Sequence, residues 1–292
     1  MALQHSEREL GQLGDHDLAR IISGAHEAFK KRHPDLSDIP LPPAVTPVAT
    51  RTVAQTPEAQ VEIKRFSQDQ LILPETQIPQ EVSDILQRAE RAGLTLEPYN
   101  LSNVVLDENS EVEGWNSKPE SWYWENIKKG NISQDAPKLS DSWVLIDPIT
   151  RPDYNRGRQL HENDHLGPLL AKLRKDKRIG NIRGVPEISR FGISHDELKQ
   201  VVLPEIAELL GVEASAVRLP KAIEFNLIGN MKHPEWGKAN TWEWFEDKFG
   251  DGHRLVGGYP GRGGLARVSY NWSDNRHDRI TFRPLVVVSP KA

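Results

Sequence analysis

The sequence predicts an α+β protein, and three observations carry that expectation. Two or three stretches repeat apolar residues at helical spacing. Many short β-branched or aromatic runs are separated by clusters of Gly, Pro, Asn and Asp. The C-terminal stretch, from Thr241-Trp-Glu-Trp-Phe to Phe282-Arg-Pro-Leu-Val-Val-Val, alternates short apolar strands with polar turn-forming segments. This mixture differs from the regular strand–helix alternation of a doubly wound sheet. Binding surfaces concentrate on loops held by a rigid scaffold, so function is expected on these C-terminal loops.

In chain order, residues 16 to 33 place Leu18, Ile21, Ile22, Ala25, Ala28 and Phe29 on one helical face, with Pro34 just beyond. Residues 1–33 therefore read as a separate helical segment for docking or assembly. Residues 34–78 read as a linker, because the Pro-, Thr- and Ala-rich run around Ile39-Pro-Leu-Pro-Pro-Ala-Val-Thr buries little. Residues 79–292 form the main domain. Pro79 to Ala92 predicts a helix with Val82, Ile85, Leu86 and Ala89 on one side and Gly93 at its end. A strand is expected at Leu94 to Leu96, core packing from the aromatic run Trp115 to Trp124, and a buried strand from Trp143 to the stop at Pro148. The basic residues Lys172, Arg174, Lys175, Lys177, Arg178 and Arg183 are interrupted by acids and lack interleaved aromatics. They read as a solvated helix face, not a nucleic-acid patch. Ser194 and Glu197 have capping-box spacing at the head of a helix that runs to Leu210, with Pro204 placed to kink or divide it and Gly211 to stop it. Val217-Arg-Leu-Pro then leads into a short helix with Ile223, Leu227 and Ile228 facing inward.

Composition excludes several functions. The net charge of −5 gives no field that would recruit nucleic acid or an anionic membrane. With no cysteine, disulfides, zinc–thiolate sites and thiol catalysis are out. No apolar run is long enough to span a bilayer and the first residues lack a secretory core, so a cytoplasmic location is expected, with no membrane partner.

One local motif suggests chemistry. His161-Glu-Asn-Asp-His165 has the H-E-x-x-H spacing that, on a helix, holds zinc with the glutamate as base. Its flanks are polar, Gly167-Pro168 follows at once, and no downstream His supplies a third ligand, so a polar loop is the expected reading. A zinc-dependent hydrolase using His161, Glu162 and His165 stands as the rival function. Nucleophile-elbow, Walker and dinucleotide patterns are absent from the sequence. Gly257-Gly258 and Gly261 to Gly264 read as tight turns and close backbone approaches. No cofactor or metal is expected.

Four segments in order, Val217-Arg-Leu-Pro-Lys-Ala-Ile-Glu-Phe, Asn240-Thr-Trp-Glu-Trp, Arg254-Leu-Val-Gly-Gly and Ile280-Thr-Phe-Arg-Pro-Leu, resemble the C-type-lectin fold of the formylglycine-generating-enzyme type. The resemblance spans about residues 140–290. It departs at Thr281, where that family carries glycine, and at Val256 within the turn. The oxidising enzymes of the fold work through cysteine, which this chain lacks, so their activity does not carry over. A second branch, the variable proteins of diversity-generating retroelements, is the closer resemblance. It implies a non-catalytic protein whose C-terminal face, here 251–288, is rewritten by adenine-directed copying and binds a ligand, expected to be another protein. A fixed-specificity lectin-like domain is the remaining alternative.

Residue usage agrees with that resemblance. Adenine-directed change of an Asn codon cannot reach Lys, Glu, Gln, Met or Trp, and Asp251 to Pro290 contains no Lys, Glu, Gln or Met. The expected ligand-binding residues are Tyr259, Arg262, Arg267, Ser269, Tyr270, Asn271, Asn275, His277, Asp278, Arg279 and Thr281. The tyrosines offer large area with few rotors to freeze, the small polar side chains adaptable hydrogen bonds, and the arginines forked contacts. Trp242, Trp244, Gly257, Gly258, Trp272, Phe282 and Arg283 are expected as scaffold beneath them.

Overall fold

Strand β5 (Ser142–Ile146) has all five residues buried, and the fold is layered on its two faces. A computed structural model describes residues 63–73 and 78–288. The helix expected over 16–33, and the linker up to residue 62, lie outside the described residues. Strand β5 is the centre of a five-stranded sheet in the order β2 (Ile72–Leu73), β3 (Glu97–Leu101), β5, β11 (Leu285–Val288), β6 (Val217–Arg218). Every neighbouring pair in it is antiparallel. Doubly covered strands read as continuous apolar runs, which is why Trp-Val-Leu-Ile and Leu-Val-Val-Val stand out in the sequence.

Side chains alternate across this sheet into two hydrophobic clusters. Val144, Ile146 and Leu285 join Tyr123 and Trp124 of α3 (Ser121–Lys128) and the inner residues of α6 (Ala222–Met231). Trp143, Leu145, Val286 and Val288 join α2 (Gln80–Arg91), α4 (Gly167–Lys175) and the long helix α5 (195–210). The helix signals in the sequence act as read. At the end of α2, Gly93 (φ +78°) lets its own N–H bond Glu90 O at 2.9 Å and the Leu94 N–H bond Ala89 O at 2.8 Å. In α5 the Ser194 hydroxyl accepts the Glu197 N–H at 3.2 Å while Glu197 accepts the Ser194 N–H at 3.0 Å. Pro204 neither divides nor sharply ends α5. The helix, which is α over His195–Glu197 and Leu203–Leu210, widens to a π-turn over Leu198–Val202, where the Leu203 N–H reaches back to Leu198 O. That widening accommodates a residue with no N–H and a bulky ring.

A second sheet runs β10 (Ile280–Thr281), β7 (Trp242–Phe249), β8 (His253–Gly257), β9 (Val268–Trp272), with β10 parallel to β7 and the others antiparallel. It too separates the clusters: Trp244 and Val256 face α5, while Phe245, Leu255 and Val268 face α6.

Four expectations need correction. Residues 65–73 were assigned to the linker, but they form β1 (Arg65–Phe66), the single turn α1 (Gln68–Leu71) and β2. Strand β1 pairs with β4 (Glu111–Val112) and β2 pairs with β3, with Leu71 fully buried. Leu94 to Leu96 is not a strand, because Leu94 closes the cap of α2 and pairing starts only at Glu97. The strand expected from Phe282 begins at Leu285, after Pro284, which has no N–H to give a ladder. Arg174, read as solvated, is buried and donates to the carbonyls of Glu187, Ser189 and Phe191.

Beneath the junction of the two sheets lies a network of buried charge. Arg283 pairs with Glu243 (Nη2 to Oε1 2.8 Å), donates to the Asp147 carbonyl and lies 3.7 Å from the ring centroid of Trp236. Arg190 bridges Asp147 (2.7 Å) and both oxygens of Asp164 (2.7 and 2.9 Å). Arg151 sits 3.4 Å from Glu243 and donates to the carbonyls of Thr241, Gly258 and Trp236. Among the described residues no helix is long and apolar enough to cross a membrane.

An Arg283→Ala variant removes the guanidinium hydrogen-bonded to Glu243 and leaves that buried carboxylate, among the described residues, only Arg151, 3.4 Å away. Urea unfolding should show a loss of about 3–5 kcal/mol. Lys172→Ala, which breaks only an exposed pair with Asp176 (3.0 Å), should cost under about 0.5 kcal/mol. Equal losses in the two variants would mean that the buried network contributes no more than a surface pair.

Candidate functional site

The C-terminal segment is shaped first by two glycines. A Cβ at Gly257 would lie 2.5 Å from the Phe245 ring and 2.7 Å from Arg267 O, and Gly258 has φ +86° with Arg151 packed against it. From that turn the register of β8 and β9 follows. Gly258 N–H bonds Arg267 O (3.2 Å) and Ser273 N–H bonds Gly252 O (2.9 Å), so Val268, Tyr270 and Trp272 turn their own N–H groups away from β8. Alternation then puts Tyr270 and Trp272 on one face and Ser269 and Asn271 on the other.

On the first face the rings stack. Tyr270 lies 4.2 Å from Phe249 and 6.0 Å from Trp122 of α3, and Trp272 lies 3.8 Å from His253. Trp272, expected as scaffold, is 57% exposed. It ends an edge strand and rests on His253 and Gly252, with its outer side open. Arg267 is committed to the scaffold: both Glu120 oxygens accept from it at 2.8 Å, and Glu120 also accepts the Val268 N–H at 3.0 Å.

A second group gathers around Tyr154, a residue not singled out in the sequence. Arg279 lies 4.0 Å over its ring, and its hydroxyl donates to Asp278 at 2.8 Å. Tyr259 stacks on Trp242 at 4.9 Å, and the Trp242 N–H bonds Arg279 O at 2.8 Å, which joins the two stacks. His277 Nδ1 accepts the Arg279 N–H at 3.0 Å. An aromatic residue inside a polar, Gly-containing run was the available signal for Tyr154.

Residues 273–278 are fastened from below by the head of α5 and its surroundings. Asp196 N–H bonds Ser273 O at 3.0 Å, Gly192 N–H bonds His277 O at 3.2 Å, and Gln159 donates to Asp278 O. Glu197 binds the Arg276 guanidinium through both oxygens (2.8 and 2.9 Å) and also accepts the Gly180 N–H at 2.5 Å. A Cβ at Gly180 would lie 2.4 Å from that guanidinium. Burial pushes the Glu197 carboxyl up, but Arg276 and the Ser194 and Gly180 N–H groups outweigh it and hold the group below the usual range. Asn275 joins Asn271 at 3.2 Å.

The expected binding residues thus divide. Tyr259, Ser269, Asn271, Asn275, His277 and Asp278 are half-buried, and Tyr270 and Arg279 are exposed. Arg262 lies in the 3-10 turn Pro260–Arg262. Thr281 is corrected: it is fully buried on β10, with its hydroxyl 3.4 Å from His161 Nε2, and no ligand can reach it here. Among the expected scaffold residues, Trp244, Gly257, Gly258, Phe282 and Arg283 are buried and Trp242 is half-buried.

Residues 161–165 lie in turns, with Asn163 at φ +52°, so the helical spacing a zinc motif needs is missing. His161 is buried and stacked on Phe191 at 5.5 Å, while His165 packs against Gly93. Burial, and then Arg190, Arg283 and Arg151, push the His161 pKa well down, so its ring is neutral. Among the described residues no group of three His, Asp or Glu is arranged to hold a metal ion. Glu162, Asn163 and His165 instead line a cleft of about 320 Å³ beside Arg190.

Comparison with known protein families, with curated proteins and with solved structures finds no match in any of the three.

Two outcomes are expected from this geometry. His195 is buried beside Trp244 without a well-formed hydrogen bond on either ring nitrogen, and burial, then Arg254 and Lys199, push its pKa down to about 3 against a weaker opposing contact with the Phe245 backbone. The unfolded chain therefore takes up a proton below pH ~6.5 that the folded chain refuses, so stability is full above that value and falls as pH drops toward 3, by up to about 1.4 kcal/mol per unit. Asp247, raised by burial to about 6, acts in the opposite sense between its ordinary 3.8 and 6. Stability of a His195→Leu variant, measured from pH 7 to 4, should fall less steeply than that of the parent chain; an unchanged slope would sink the assignment. In Glu197→Gln, amide exchange over 273–279 should rise while β5 stays protected.

Proposed function

We propose that the protein is a non-catalytic binding protein with a C-type-lectin-like fold of the formylglycine-generating-enzyme type. In this reading residues 251–288 display a ligand-binding face that a diversity-generating retroelement rewrites, and the ligand is another protein. The observation that carries it is the division within that segment. Phe282, Arg283, Gly257 and Gly258 are buried in the packed interior, whereas Tyr259, Ser269, Tyr270, Asn271, Asn275, His277, Asp278 and Arg279 keep contact with solvent. The residues on the open side are all types reachable from an Asn codon by change at adenines.

The four segments that carry the resemblance support the reading by their positions. Val217-Arg-Leu-Pro forms β6 and leads into α6, Trp242-Glu-Trp opens β7, Arg254-Leu-Val-Gly fills β8, and Phe282-Arg283 enters the buried network. Arg267 and Thr281 leave the set of contact residues, the first to its ion pair and the second to burial. A rigid aromatic set with small polar neighbours suits a protein surface, because few rotors freeze on contact.

The test is genetic. The DNA beside the gene should hold a near-copy of its 3′ end next to a reverse-transcriptase gene, with mismatches confined to adenines of the copy. Those mismatches should map to the open positions and spare Glu197, Trp244 and Arg283. A flanking region without such a copy would leave a binding domain of fixed specificity in its place.

A further inference from the structure

We propose that Arg279, held over the ring of Tyr154, anchors a carboxylate subsite, so that the ligand of this face presents an acidic side chain beside an apolar one. This rests on the reading that residues 251–288 carry the binding face. The other arginines of the segment whose side chains are described are each engaged by protein acceptors. Arg254 donates to Glu246 O, Arg267 pairs with Glu120, Arg276 with Glu197 and Arg283 with Glu243. Arg279 is different: it is exposed, and its guanidinium has a ring beneath it but, among the described residues, no carboxylate or carbonyl partner.

The support beneath Arg279 is fixed. Tyr154 is held at its hydroxyl by Asp278 (2.8 Å) and at its backbone N–H by the Asn240 side chain (2.6 Å). A guanidinium stacked on a held ring keeps its N–H fork in one plane, and that fork matches the two oxygens of a carboxylate. The neighbouring loops carry charge of both signs, with Asp153 and Asp278 beside three arginines. Arg156 and Arg158, on the same loop as Tyr154, and Arg183 beside Gly184 are exposed and make no ion pair among the described residues. Gly157 packs between Gly184 O and the Asp278 carboxylate, which brings these stretches together.

Two neighbours narrow the ligand. Asp278 takes the hydroxyl of the same Tyr154 ring that lies beneath Arg279, and an acidic group there penalises a phosphate dianion more than a singly charged carboxylate. The Trp242–Tyr259 stack, whose Trp242 backbone N–H bonds the Arg279 carbonyl, is the aromatic surface tied to this segment. An acidic residue followed by an aromatic one fits both halves.

The probe is N-acetyl-glutamyl-tryptophan amide, titrated into the full-length protein while the arginine Nε–H resonances are followed by NMR. The Arg279 signal should shift with a millimolar Kd, and the glutaminyl counterpart should bind about tenfold more weakly, the loss of one charge-assisted contact. Arg279→Gln should abolish the difference between the two peptides, Tyr154→Ala should weaken the glutamyl peptide, and Tyr154→Phe, which keeps the ring, should retain it. Circular dichroism confirms that each variant is folded. Equal binding of the two peptides, binding of neither, or stronger binding of inorganic phosphate would each overturn the carboxylate subsite. Failure of the genetic test with the peptide discrimination intact would leave the subsite standing on a face of fixed specificity.

Discussion

The buried charge network is the constraint on which the rest depends. Arg151, Arg190 and Arg283 are each nearly free of solvent, and a buried guanidinium costs several kcal/mol unless its donors are matched. Their partners come from the end of β5 (Asp147), the turn before α4 (Asp164), β7 (Glu243), and the carbonyls of Trp236, Thr241 and Gly258. No one of these segments can move without stranding a charge. The network therefore fixes the relation between the five-stranded sheet and the four-stranded sheet that carries the candidate face. Such charge rarely outperforms a well-packed apolar core in stability. What it adds here is a set of directional contacts, so the Gly257-Gly258 turn has one position.

That fixed base leaves the edge of the second sheet to be managed. Among the described residues strand β9 has no partner on its outer side, and an unpaired edge invites pairing with another chain. Two of its outward N–H groups are occupied by side chains: Val268 by Glu120, and Trp272 by its neighbour Asn271 (2.9 Å). The strand therefore presents a broken row of backbone donors, and Tyr270 and Trp272 are its most exposed rings. This suits recognition by side-chain complementarity.

The fold was legible where local rules decide. The caps of α2 and α5, the stop at Gly211 and the doubly buried strands β5 and β11 all follow from residues within a few positions of each other. Long-range decisions were not legible. Nothing local to Arg65-Phe66 or Ile72-Leu73 tells that partners some tens of residues away will draw them from a linker into sheets. Exposure failed for the same reason. Trp272 reads as a core residue by type, and only the edge position of β9 leaves it open, while Thr281 is a polar residue that β10 turns inward. The candidate face over 251–288 is expected from the family resemblance, and the residue usage that agrees with it marks a segment but cannot say which neighbours from other segments complete it. Tyr154 and Trp122 enter from the outside, and they decide how Arg279 and Tyr270 are held.

If the side chains of this face change, as proposed, it must be held by atoms that do not. Three of the four kinds of anchor under residues 273–278 meet that condition, because Ser273, His277 and Asp278 are gripped through their carbonyl oxygens by Asp196, Gly192 and Gln159. Any L-residue presents the same carbonyl, so the loop keeps its path whatever stands at 277 or 278. The fourth anchor, Glu197 with Arg276, depends on a side chain, and Gly180 is shaped to receive that one. Position 276 therefore belongs with the scaffold although its exposure resembles that of its neighbours. The division between scaffold and contact residues follows the hydrogen-bonding atom, backbone or side chain, more closely than it follows burial.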